Sequence, residues 1–313
     1  MKTETIYNKI SVVIPAKNEA EGLSGFLTDL KTQYPQFEII VVNDASTDDT
    51  KIIAEQAQVK VITHPYSIGN GGSVKTGARH ATREYILFMD GDGQHRVEDI
   101  EKLITRFNQG FDMVVGFREK SSQANFSRWV GNRFYNYIAS IIVRQPILDL
   151  TSGFRIVKRE LFMEFLHLLP NGFSYPSTIT MAFFRSGYAV GYEKITVNPR
   201  KGKSHLRLFS DGLKFMLIIY KMTTLYSPFK VFLPFAALHF LAGILNYAYT
   251  FSTQGRFTNM SAVFLSASVI IFLIGLVSEQ ITALMYQRSN FSPQKPCTQN
   301  QDNSQNNSEQ NAA

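Results

Sequence analysis

The sequence predicts an α/β protein: a doubly wound, mostly parallel sheet followed by a two-helix hairpin that crosses a membrane. Three observations carry this reading. Short apolar runs alternate with helical patterns from Lys9 to Phe88, which is the signature of a parallel sheet with right-handed crossovers. Tyr85–Met89 is apolar without interruption, as a strand buried on both faces is, and it ends abruptly in Asp90-Gly91-Asp92. Val231–Phe251 carries no formal charge and, at about 1.5 Å per residue, is long enough to cross a hydrocarbon core of about 30 Å.

Taken in order, Lys9–Pro15 reads as a strand, and Asn18 caps a helix from about Glu19 to Gln33 with Leu23, Phe26, Leu27 and Leu30 at helical spacing. Phe37–Asn43 is the next strand. It runs into Asp44-Ala45-Ser46-Thr47-Asp48-Asp49-Thr50, where a capping residue opens a helix to about Gln56. Val59–Thr63 is a third strand. A loop with Gly69, Gly71 and Gly72 then leads into a helix to about Arg83. That loop nearly spells a phosphate-binding loop but has Val74 where Gly is needed, and it also lacks the third Gly of a dinucleotide fingerprint. What remains is a turn into a helix N-terminus, with Lys75 near the site and helical amides facing anionic groups.

The strand Tyr85–Met89 places Asp90 and Asp92 at its carboxyl end, the rim where ligands bind in open α/β sheets. Two carboxylates about 5 Å apart repel by about 3 kcal/mol at an effective dielectric near 20, so the pair asks for a cation, and oxygen ligands favour Mg2+ or Mn2+. A polar turn capping the helix that starts near Val97 is the simpler alternative. On the same rim Asp44 converges with Asp90 and Asp92.

Phe111–Gly116 is a further strand, and Ser121–Ile142 sets Arg128, Trp129, Arg133, Phe134, Tyr135 and Tyr137 at helical spacing, as core aromatics or as a ligand platform. Helices over Arg159–Leu168 and near Thr178–Ser186 and a strand near Ala189–Val197 close the soluble part. The basic loop Arg200–Arg207 is either a solvated juxtamembrane cluster or an anion site.

The 313 residues divide into a catalytic-sized domain over 1–205, an amphipathic helix lying on the membrane interface over 206–228, transmembrane helices at about 231–251 and 261–286 within 229–287, and a disordered Gln/Asn/Ser-rich tail over 288–313. Lys214, Lys221 and Lys230 precede the first span and Arg288 follows the second, against Arg256 alone between them, so the domain and both termini are expected in the cytoplasm. The first apolar run, Ile10–Ile14, is too short for a secretory signal. Cys297 is the sole cysteine, which excludes a disulfide framework and a cysteine-based metal site. The net charge of +7 is accounted for by an anionic membrane surface, and no nucleic-acid partner is expected.

Val13-Ile14-Pro15-Ala16-Lys17-Asn18-Glu19, Val41-Val42-Asn43-Asp44-Ala45-Ser46 and Phe88-Met89-Asp90-Gly91-Asp92-Gly93-Gln94-His95 together resemble the inverting glycosyltransferase family 2, in its polyprenyl-phosphate branch typified by dolichol-phosphate mannose synthase. The resemblance spans Ile10 to Leu206. It implies a GT-A fold, a UDP- or GDP-sugar donor, Mg2+ or Mn2+, and a polyprenyl phosphate acceptor. By that resemblance Pro15, Ala16, Glu19 and Asp44 hold the nucleoside; Asp90, Asp92 and Gln94 hold the metal; Arg118 and Arg133 meet the acceptor phosphate; Ser152, Gly153, Phe154 and Arg155 line the acceptor pocket; and Arg200 and Lys203 close over the diphosphate. Asn43 and Lys17 depart from the family's Asp and Tyr, and His205 stands where a Lys is frequent. Rival readings are a related transferase with another lipid or glycan acceptor, a non-catalytic membrane-anchored nucleotide-binding protein, and a membrane nucleotidyltransferase. Two spans are too few for a wide pore, so a separate flippase is expected; a homo-oligomer is compatible with the sequence.

Overall fold

The computed structural model describes residues 4–118, 126–172, 175–197, 220, 223–224 and 226–287. Seven strands form one sheet: β1 (Ile10–Ala16), β2 (Glu38–Asn43), β3 (Lys60–Thr63), β4 (Tyr85–Phe88), β5 (Met113–Arg118), β6 (Arg155–Lys158) and β7 (Val190–Ile195), in the order β3-β2-β1-β4-β6-β5-β7. β1 pairs in parallel with β2 and β4, β2 with β3, and β5 with β7, whereas β6 is antiparallel to both β4 and β5.

Both faces of the sheet are covered, and the alternation along each strand shows how. Val12 and Ile14 of β1 and Leu87 of β4 pack on one face against Leu27 and Leu30 of α3 (Phe26–Gln33) and Ile100, Leu103 and Ile104 of α6 (Asp99–Phe107). Val13, Ile86 and Phe88 point the other way, onto Val74 and Ala78 of α5 (Asn70–His80), Phe162 of α8 (Arg159–Glu164) and Ile179 and Phe183 of α9 (Tyr175–Arg185). Strands buried on both sides are near-continuously apolar, which is the pattern that betrays them in the sequence. The remaining helices are α1 (Glu4–Tyr7), α2 (Ala20–Leu23), α4 (Thr50–Gln56) and α7 (Phe126–Val143).

The structure departs from the sequence expectations in four places. The helix expected over Glu19–Gln33 is broken into α2 and α3 by Gly25, whose φ of +84° no helix accommodates. The helix expected to reach Leu168 ends at Glu164, and the one expected near Thr178 begins at Tyr175. Most consequentially, β6 was not expected at all. Because it runs against its neighbours, its first residues reach the same rim as the carboxyl ends of β4 and β5, with Arg155 in register with Phe88 and Val115.

At the C-terminus, helices Phe229–Gln254 and Asn259–Gln287 form an antiparallel hairpin, each long and apolar enough to cross a bilayer. Gly243 sits against Leu265 and Gly275 against Phe232, the small-residue contacts that let membrane helices approach closely. Ser261 donates to Asn246 Oδ1 at 2.8 Å near the turn, while Leu238, Leu245, Val263 and Leu284 stand exposed on the outer faces. Exposed apolar surface of this extent belongs in lipid, and the protein is membrane-anchored with a large soluble domain. The interfacial helix expected over 206–228 falls almost wholly outside the described residues, as do the tail 288–313 and the basic loop with Arg200 and Lys203.

Candidate active site

Six segments meet at the carboxyl rim of the sheet: the ends of β1 to β5 and the start of β6. The β1 and β2 loops are knitted together. Asp44 N donates to Ala16 O at 2.9 Å, Glu19 N to Thr50 Oγ1 at 2.9 Å, Ala20 N to Asp48 Oδ2 at 3.2 Å, and Thr47 N to Asn18 Oδ1 at 2.8 Å. Asn43 accepts from Ser46 N at 3.1 Å through Oδ1, a turn bond that Asn makes as well as Asp does, which accounts for that departure from the family pattern.

Asp44, expected to accept hydrogen bonds from base or ribose, is already occupied by the chain itself. Its Oδ1 lies 2.8 Å from His64 Nδ1 and accepts from Ile68 N at 2.8 Å, and its Oδ2 accepts from Ser67 Oγ at 2.7 Å and Gly69 N at 2.9 Å. Four partners fill the four lone-pair sites of a carboxylate. Burial alone would raise its pKa, but these bonds outweigh it and hold the group down at about 2. In this structure Asp44 fastens the segment Ser67–Gly69 across the rim. His64, which sequence reasoning passed over, is the lateral brace, with Nε2 2.9 Å from Thr76 Oγ1 on α5.

The amides of Gly71 and Gly72 in the first turn of α5 are likewise spent internally. Gly72 N donates to Asn171 O at 2.7 Å, Gly71 N reaches Gly172 O, and a Cβ at Gly71 would lie 2.1 Å from Pro170 O. The glycines admit a neighbouring backbone where an anion was expected. Lys75 donates to Leu169 O at 3.1 Å, and burial, then Arg79, lowers its pKa.

The acid loop lies between these walls. Gly91 rests close to Pro15 and Ala16, and α2 lies against the loop so tightly that a Cβ on Gly22 would fall 2.5 Å from Gly91 O. Gly22→Ala, stabilising by roughly 0.5–1 kcal/mol in an ordinary helix interior, is therefore expected to act in the opposite sense here. A lower melting temperature and lower transferase activity in the purified variant would verify the contact; a rise in both would refute it.

Asp90 is 36% exposed, with Oδ2 3.3 Å from His95 Nε2. His95 is buried against the Phe154 ring at 4.8 Å between centroids. Burial works to raise the Asp90 pKa, but the His95 hydrogen bond and the charges of His95, Arg118 and Arg155 hold it below the ordinary carboxylate range. Asp92 accepts from Gln94 N at 3.1 Å through Oδ1. Gly153 packs so closely on Asp90 that a Cβ there would meet Oδ2 at 2.8 Å, so the S-G-F-R segment does abut the acid loop.

Arg118 faces this cluster from the end of β5. Its Nε donates to Asp149 Oδ2 at 2.8 Å, and Nη2 donates to Asp149 Oδ1 at 3.1 Å and Thr151 Oγ1 at 2.8 Å. Burial disfavours the guanidinium charge, yet Asp149, with Asp90 and Asp92 behind it, raises the pKa. The bidentate fork fixes the plane of the side chain. Asp149 was missed in the sequence because an isolated Asp before Thr151 carries no spacing signal.

Arg155, expected to line an acceptor pocket, is fully buried. It donates to Pro176 O at 3.0 Å and Thr180 Oγ1 at 3.1 Å through Nη1 and to Ser152 O through Nη2, beneath the Tyr175 ring. Burial lowers its pKa. Its position in the central β6, flanked by β4 and β5, turns it inward, so it shapes the Ser152-Gly153 loop and does not meet a ligand directly. The Ser152 hydroxyl is buried beside it without a hydrogen-bond partner among the described residues. Arg133 lies exposed on α7. Pro15, Ala16, Asp90, Asp92, Arg118 and Gly153 are thus gathered at one mouth, whereas Arg200 and Lys203 lie outside the described residues.

The profile described as Glycosyl transferase family 2 matches residues 11–166, and that described as GtrB C-terminal hairpin matches 227–284. The chain belongs to glycosyl transferase family 2. By that membership it is an inverting glycosyltransferase that draws on a nucleotide-sugar donor, and its C-terminal helices are a GtrB-type hairpin. Glycosyltransferase AglJ of Haloferax volcanii is 26% identical over 289 residues, covering 88% of this chain and 94% of that protein. CsbB of Bacillus subtilis (strain 168) is 24% identical over 297 residues, covering 89% of this chain and 88% of that one. Among solved structures, glucosyl-3-phosphoglycerate synthase from Mycobacterium tuberculosis, in complex with Mn2+, UDP-glucose and phosphoglyceric acid, superposes with a TM-score of 0.57. It shares 18% identity over 69% of this chain and 79% of that chain. This likeness establishes the GT-A fold of the catalytic domain.

Proposed function

We propose that this family 2 enzyme transfers its sugar to a polyprenyl phosphate at the cytoplasmic face of a membrane, yielding a polyprenyl-phosphate sugar. The observation that carries the reading is the combination, in one chain, of an acid pair faced by a fixed cation, Arg118, with a GtrB-type hairpin whose helices are long and apolar enough to cross a membrane.

Among the described residues no group of three or more His, Cys, Asp or Glu is gathered for a metal. The donors at the mouth nevertheless suit Mg2+ or Mn2+, which use one or two carboxylates and take the rest of their shell from substrate phosphates and water. Asp90, Asp92 and Gln94 would hold such an ion, and its charge would offset that developing on the leaving diphosphate. The solved relative binds Mn2+ with UDP-glucose, and in another crystal Mg2+ with uridine diphosphate, which makes uridine donors the first to try and guanosine donors the second.

The reaction needs little from a general base. A phosphate monoester has its second pKa near 6 and is already anionic at neutral pH. Its oxygen forms a bond to the anomeric carbon from the face opposite the diphosphate, the carbon–oxygen bond to the diphosphate breaks, and the electron pair leaves with it. Arg118, locked by Asp149, would orient the acceptor phosphate, with Arg133 as a second cation; Arg200 and Lys203 would serve the leaving diphosphate. Pro15, Ala16 and Glu19 line the nucleoside side, whose shape Asp44 maintains. A separate flippase would move the product across the bilayer.

The test uses the purified protein in mild detergent with labelled nucleotide sugars, a polyprenyl phosphate and Mg2+ or Mn2+. Label is expected to enter the lipid fraction from one donor, with release of nucleoside diphosphate and loss of transfer on chelation. Release of pyrophosphate, or transfer only to a non-phosphate acceptor, would refute the reading.

A further inference from the structure

The second hairpin helix, Asn259–Gln287, contains a single formally charged residue, Glu279. An acid in a membrane-spanning segment is costly, and its partners say what it is for. Glu279 Oε1 lies 3.6 Å from Arg185 Nη2, and its Oε2 accepts from Phe229 N at 3.2 Å and from Ser227 Oγ at 3.5 Å. Arg185 also stands over the Tyr226 ring at 5.5 Å. Glu279 therefore joins three parts of the chain: the second membrane helix, the first turn of the other, and the catalytic domain.

Arg185 is the last residue of α9, and the opposite end of that helix reaches the active site. Near that end, Pro176 O and Thr180 Oγ1 accept from Arg155, Ser177 Oγ contacts Leu150 O, and Tyr175 OH reaches Gly153 O at 3.4 Å. Gly153 in turn packs on Asp90. Met181 of α9 packs with Leu150 and with Tyr135 and Ala139 of α7, and Tyr226 packs against the same cluster. One rigid helix, about 16 Å long at 1.5 Å per residue, thus touches the acceptor side of the mouth at one end and the membrane hairpin at the other.

We infer that α9 is a strut and that Arg185–Glu279 is its footing: the pair sets the acceptor side of the mouth at a fixed height over the lipid surface. Arg185 and Glu279 are positioning residues for an acceptor whose phosphate is tethered in the membrane. They touch no substrate, and a donor or acceptor arriving from water does not depend on them. This inference rests on the lipid-phosphate reading above.

The experiment reconstitutes the full chain in liposomes and compares wild type, Arg185→Met, Glu279→Gln and the double variant, with a long-chain polyprenyl phosphate in the bilayer or a short, water-soluble prenyl phosphate. Glu279→Gln keeps an acceptor for Phe229 N and removes the charge. With the long-chain acceptor, kcat/KM is expected to fall about tenfold in each single variant, misplacement by an ångström being enough. The donor KM and the rate with the soluble acceptor should stay within about twofold, and the double variant should lose no more than the worse single one, because interacting residues are not additive. Equal losses on both acceptors, additive losses, or full long-chain activity in all variants would overturn the strut. If wild type labels neither phosphate acceptor, the lipid-phosphate reading falls first and the strut with it, an outcome distinct from variants that merely match wild type.

Discussion

Asp92→Asn is expected to lower sugar transfer by roughly 10²–10³-fold, the cost of losing one preorganised electrostatic contact to a charged transition state. The substitution is nearly isosteric and keeps the Oδ1 that accepts from Gln94 N at 3.1 Å, so the Asp90–Gln94 loop has no local reason to change shape. What it removes is charge. Asp149 already pairs with Arg118, so the charge of Asp90 and Asp92 is left largely for a cation, and Asp90 alone would give such a site half its carboxylate complement. Stability should hardly move, since relief of repulsion between the acids offsets the weaker attraction to Arg118. Initial rates and a melting curve on the same preparation check both halves. A variant retaining a third or more of the wild-type rate, or one that melts far below it, would remove Asp92 from the proposed role.

Asp44→Asn is expected to be the most damaging single substitution for the fold of the rim. An amide NH2 in place of Oδ1 would face His64 and Ile68 N, and in place of Oδ2 would face Ser67 and Gly69 N; either way one backbone N–H loses its acceptor, and the charge that strengthens the rest is surrendered. Losing charge-assisted bonds worth about 1.5–3 kcal/mol each, with one buried donor left facing another, puts the expected destabilisation at about 3 kcal/mol. The pH dependence gives an independent check. The Asp44 pKa is about 2 in the fold against an ordinary 3.8, a gap worth about 2 kcal/mol. A group whose pKa is depressed by folding stabilises fully above its unfolded value and loses that contribution as pH falls. Wild type should accordingly shed this increment between about pH 4 and pH 2, whereas Asp44→Asn should lack it at every pH. Melting temperatures of both proteins across that range test the point, and parallel curves would contradict it. Donor binding should also weaken in the variant, through release of Ser67–Gly69.

The fold class was legible because burial on both faces leaves a plain trace. Val12, Val13 and Ile14 are all apolar, since alternate members meet opposite helix layers, and the hairpin is written as charge-free runs. Strand β6 left no such trace. Four residues, Arg155–Lys158, run directly into α8, and nothing in their composition encodes that they pair antiparallel in the middle of a parallel sheet. The candidate site was legible as a set of residue types and only partly as roles. Asp90, Asp92, Arg118 and Gly153 do converge, but Asp44 and Arg155 spend their hydrogen bonds on the chain itself, and the glycines before Lys75 admit the backbone of residues 170–172. Motif spacing marks where a charged group stands; whether it faces ligand or protein depends on partners distant in sequence. His64 is 20 residues from Asp44, and Asp149 is 31 from Arg118. Neither pairing has a local signature.

The measurement that bears most directly on the central claim is the linkage in the lipid product, read by phosphorus–proton correlation NMR after incubation with a donor of known anomeric configuration. The expected spectrum shows the sugar's anomeric carbon bonded through oxygen to a single phosphate, with configuration opposite to that of the donor. A retained configuration, or a sugar joined to anything other than phosphate, would contradict the proposed chemistry.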